Sequence, residues 1–74
     1  MTFNVTIGSP PYLEGLAAQL EIDYKGGVAI PIEVFHEDGR LRMTVFPTGN
    51  EENWSFDVAD LVEALGRAMA RLGV

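Results

Sequence analysis

The chain has 74 residues, five basic against eleven acidic, a formal charge of −6 and no cysteine. That length holds one domain (residues 1–74) with a single core and a narrow stability margin, which no disulfide or thiolate metal site supplements. The acidity disfavours direct contact with nucleic acid phosphates or anionic lipid, and a composition of 47 % hydrophobic and 22 % charged residues is that of a folded chain.

The N-terminus, Met1-Thr2-Phe3-Asn4-Val5, has neither a basic start nor a signal-like apolar run, and no stretch is long enough to span a bilayer. The expected location is the cytoplasm, with no membrane partner. Phe3, Val5 and Ile7 alternate with polar residues at the period of a half-buried strand, which Gly8-Ser9-Pro10-Pro11 stops. From Leu16 to Tyr24 the residues Leu16, Ala18, Leu20, Ile22 and Tyr24 alternate in the same way and predict a second strand. A rival reading puts a helix over residues 10–20, with Ser9 as its cap and Leu13, Leu16, Ala17 and Leu20 on one side. Gly15 in its interior, and the absence of a breaker before the strand-like Glu21-Ile22-Asp23-Tyr24, count against it.

The run from Val28 to His36 places Val28, Ile30, Ile32 and Val34 on one face, and Asp38-Gly39 then signals a two-residue hairpin. Pairing across that turn sets Val34 opposite Met43, Ile32 opposite Val45 and His36 opposite Leu41. The preceding turn matches faces only with a three-residue Lys25-Gly26-Gly27 loop, which sets Tyr24 against Val28 and Ile22 against Ile30. Pro31 has no N–H to give, so its strand must spare a donor through an edge, a bulge or a gap.

After a polar stretch, Asp57 reads as an N-cap and Gly73 as the C-terminal stop of a helix over residues 58–72. Val58, Leu61, Val62, Leu65, Met69 and Leu72 form its apolar stripe. Acids cluster at its start, and Arg67 and Arg71 at its end complement the helix dipole. The predicted fold is a two-layer α+β domain, a four-stranded mostly antiparallel meander with the helix on one face, in the order ββββα; the rival helix would make it βαβββα.

No residue set predicts catalysis, a cofactor or a metal. His36 is the single histidine and reads as a strand-end residue over Leu41. Ser9 and Ser55 lack a nucleophile elbow, and the glycines form no phosphate cradle. Two surface features stand out. Glu51, Glu52, Asp60 and Glu63 gather around the helix start beside Trp54, a surface suited to a partner with a basic groove. Phe35 and Phe46 share the second face of the sheet with Ala29 and Pro31, where no second layer is predicted and the Tyr12-Leu13 loop can cover part of the patch. The expectation is a non-enzymatic binding module that acts by occluding a partner's surface, a phage-type inhibitor of a nucleic-acid-handling complex (an anti-CRISPR-like role) being one instance. The alternative is an assembly protein that forms a homodimer through the bare sheet face or the small-residue flank Ala59, Gly66 and Ala70.

Overall fold

In the computed structural model, which describes residues 2–73, four strands and one helix follow in sequence: β1 (Asn4–Gly8), β2 (Ala17–Tyr24), β3 (Gly27–Glu37), β4 (Arg40–Val45) and α1 (Val58–Leu72). The strands form one antiparallel meander in the order β1-β2-β3-β4, so β1 and β4 are its two edges. Residues 10–20 hold no helix: Leu13 N–H donates to the Pro10 carbonyl in a single turn, and the chain enters β2 at Ala17. Leu16 stays outside the strand and exposed. Two prolines at the start of the segment and Gly15 at φ 125° restrict it to a turn-and-loop path.

The hairpin between β3 and β4 has the register read from the sequence, with Val34 opposite Met43, Ile32 opposite Val45 and His36 opposite Leu41. Asp38 and Gly39 both take positive φ, 52° and 74°, the geometry that matches a two-residue turn to the strand twist. The hairpin between β2 and β3 departs from expectation. Its turn is also two residues, Lys25 and Gly26 at φ 49° and 79°, and it sets Tyr24 opposite Gly27 and Ile22 opposite Ala29. The predicted crossing of faces is repaired further along by a bulge. Between the pairs Ile22–Ala29 and Leu20–Ile32, Glu21 alone on β2 opposes Ile30 and Pro31 on β3. The bulge sits where proline cannot donate, while the Pro31 carbonyl still accepts from Phe46 N–H at 2.8 Å. As a result Val28 and Ile30 leave the core face and are exposed, and Ala29 takes their place towards the helix.

The helix is bounded as its ends predict. Asp57 Oδ1 accepts from Ala59 N–H at 2.9 Å and from Asp60 N–H at 3.4 Å, and Gly73 closes the other end in the left-handed conformation. Its docking differs from the predicted stripe. Ala64 and Ala68 are fully buried, Leu61, Leu65 and Leu72 flank them half-buried, and Val58, Val62 and Met69 are exposed. The helix packs over β1, β2 and β3 and does not reach β4. Two contacts hold it to that side: Arg67 donates to the Phe3 carbonyl at 2.8 Å, and Arg71 to the Val5 carbonyl at 3.4 Å. Small side chains at the centre let the helix lie close to Val5, Ala18, Leu20, Ile22, Ile32 and Val34, which with Phe3 complete the core. Met43 and Val45, expected beneath the helix, remain half exposed.

Candidate interaction surface

The second face of the sheet is covered in part by the Tyr12-Leu13 loop, as the sequence allowed. The Ser9–Leu16 segment turns over β2 and β3, burying Pro10 and bringing Tyr12 to Glu33, a carboxylate on the middle of β3 that is only 2 % exposed. The Tyr12 hydroxyl donates to Glu33 Oε1, and the Gln19 amide donates to Oε2 at 3.1 Å. Each carboxylate oxygen therefore has a donor, as a buried acid without a cation requires. Donation to Glu33, then loss of solvent, then the charge of Glu33 push the Tyr12 phenol above its ordinary 10.0. Phe35 is 8 % exposed on this face and is thus a core residue rather than an available anchor. Arg42, opposite Phe35, reaches along its own hairpin to Glu37 at 3.0 Å. Phe46 is half-buried, and its carbonyl accepts from the Trp54 indole N–H at 2.7 Å.

The acidic helix entry is also largely engaged within the fold. Glu52 receives Lys25 at 3.0 Å and the Tyr24 hydroxyl at 2.8 Å, and the Lys25 bond, then the Tyr24 bond, hold its carboxyl below the usual range. Glu63 pairs with Arg67 one helical turn away. Trp54 stacks on Phe56 at 5.7 Å and leans on Tyr24 at 5.0 Å, while Phe56 meets Phe3 edge to face at 5.0 Å. This aromatic row closes one end of the core and anchors the segment leading to α1. Asp60 is half-buried in the first helical turn, and Glu51 is exposed on the loop. Of the residues singled out from the sequence, the fold brings Trp54 beside Glu52 through Tyr24, and leaves Phe35 on the opposite face of the sheet.

A different surface is open. Because α1 stops short of β4, the side chains of Leu41, Met43 and Val45 line the floor of a groove whose wall is the exposed helix flank Val58, Val62 and Met69. Val58 is 74 % and Val62 63 % exposed, fractions unusual for apolar helix residues that continue a core stripe. The helical period carries this wall on to Ala59, Gly66 and Ala70 at the top of the helix. All four charged residues of α1, Asp60, Glu63, Arg67 and Arg71, fall on the other flank, towards β1. The result is a surface without a charged side chain, formed by β4 and by the flank and top of α1. An added Cβ on Gly66 would meet nothing within 4 Å, so the chain's own sheet does not explain that glycine.

The edge beyond this groove is open too. In an antiparallel hairpin alternate residues turn their backbone groups to the partner strand, and the Phe46 N–H bond to Pro31 fixes the even-numbered residues of β4 as inward. Leu41, Met43 and Val45 therefore present their N–H and C=O groups outward. On the opposite edge Arg67 and Arg71 occupy the carbonyls of Phe3, just before β1, and of Val5 within it; among the described residues no side chain does so for β4. The sequence carried the signal for this surface in the uncharged run of Val58, Val62, Gly66, Met69 and Ala70, but its apolar members read as core. No family model, curated protein or solved structure matches the chain.

Proposed function

We propose that this protein is a binding module that acts through protein–protein contact, and that its working surface is the uncharged groove between α1 and β4. The observation that supports it is the exposure of six large apolar side chains, Leu41, Met43 and Val45 on the helix-facing side of β4 and Val58, Val62 and Met69 on the neighbouring flank of α1. A chain this small gains little by leaving such residues in water, and large exposed apolar patches mark contact sites. The acids that suggested a basic partner contribute less, since Glu52 and Glu63 already hold Lys25 and Arg67. The reading assigns no catalysis, cofactor or metal, and occlusion of a partner's surface remains the mode of action.

The test compares capture of protein from an extract of the native host by immobilised wild-type, Val62→Glu and Glu51→Gln chains. Partners held by the groove should persist at raised salt, disappear with Val62→Glu and stay with Glu51→Gln. Loss with Glu51→Gln and retention with Val62→Glu would return the contact to the acidic loop.

A further inference from the structure

We infer that the occupant of the groove is α1 of a second copy, in a two-fold dimer whose sheets lie outside and whose two helices lie side by side between them. The inference rests on the surface reading above and names its partner. Spacing supports it first. The helix lies mainly over β1 and β2, and β4 is two strands from β2, a step of about 10 Å at the usual strand spacing. Packed helices lie about 8–10 Å apart, so the slot above β4 is one helix wide. Length agrees: six residues of strand span about 20 Å, and fifteen of helix about 22 Å.

Side-chain size and charge support it next. The floor carries large residues, Leu41, Met43 and Val45, while the top of the helix carries Ala59, Gly66 and Ala70, so each copy offers bulk where the other offers room. Two chains at −6 repel one another, and this is a face on which they can meet with no charged side chain buried. A stable interface needs roughly 800 Å² from each partner, so the arrangement engages the groove and the helix top of each copy together. Pairing of β4 edges between copies does not serve instead, because side chains stand perpendicular to the hydrogen-bonding direction and the groove floor would remain in water.

The test uses the full chain in sedimentation equilibrium, with Gly66→Leu and Val62→Glu. Gly66→Leu suits the purpose because its site is open in the single copy and leucine favours helix. The wild type should sediment at twice the monomer mass. Both variants should weaken association by about thirtyfold or more while keeping the wild-type circular dichroism at dilution. Isotope-filtered contacts between copies should join the Met43 methyl to those of Ala59 or Ala70. A wild type that stays monomeric, variants that stay dimeric, or contacts between copies that join the backbones of Leu41 and Val45 would overturn the inference. A monomeric wild type that still loses captured partners on Val62→Glu would refute the second copy alone. Unchanged mass and unchanged capture with Val62→Glu would refute the surface as well.

Discussion

Single side chains decide how the polar parts of this fold are tolerated. Glu33 is buried without a cation, and its stability depends on the donors Tyr12 and Gln19. The Tyr12 phenol can donate only while protonated, and its folded-state value lies above the ordinary 10.0. Its contribution is therefore complete below about pH 10 and is lost as pH rises through that raised value. Thermal melts should show the wild type losing stability in alkali more steeply than Tyr12→Phe, and parallel profiles would show that the hydroxyl does not support Glu33. Asp57 is placed as the sequence indicated, with its carboxylate on the first free N–H groups of the helix. Asp57→Ala should cost roughly 0.5–2 kcal/mol in urea unfolding. Gly66→Ala should raise stability by roughly 0.5–1 kcal/mol at dilution, since the new methyl meets open space and relieves backbone entropy.

At the scale of elements, strand existence, the Asp38-Gly39 hairpin and both helix ends were legible because each rests on local chemistry: period-two alternation, a turn dipeptide, a cap and a terminal glycine. Faces set by long-range choices were not. The Lys25-Gly26 turn and the Pro31 bulge each shift the register by one, and only together do they restore Leu20 opposite Ile32. A face-matching argument that admits one irregularity at a time selects the three-residue loop instead. The helix stripe failed for a related reason, because its largest residues identify the apolar side but not its centre. That centre is Ala64 and Ala68, since small residues permit the closest approach and Arg67 and Arg71 tie the helix to β1. The candidate site suffered in consequence: Phe35 was read as surface and Val62 as core, the reverse of their burial. Ala68→Leu should accordingly cost roughly 1–3 kcal/mol by overpacking. Leu20→Ala should cost roughly 2–5 kcal/mol by opening a cavity beneath the helix. Equal tolerance of leucine at Ala68 and at Gly66 in denaturant titrations would contradict this placement of the helix.

The whole molecule combines a strongly negative charge with one uncharged apolar face, and the two respond to salt in opposite ways from an acidic patch on a basic partner. Attraction between opposite charges weakens as ions screen it, whereas two copies at −6 repel, and screening removes a cost. Apolar contact itself is little affected by moderate sodium chloride. Self-association through the groove should therefore tighten as salt rises from a tenth of physiological strength to several times that strength. A ligand that binds only the folded state raises the melting temperature with its concentration, and a second copy of the chain is such a ligand. The melting temperature should thus increase with protein concentration, and the slope of that increase should steepen with salt. The Val62→Glu chain should show no concentration dependence at either salt level, because each copy would bring a carboxylate into the groove wall. A concentration dependence that fades as salt is added would instead identify charge pairing as what holds the copies together, with Glu51 and the basic β4 residues Arg40 and Arg42 as the groups to change next.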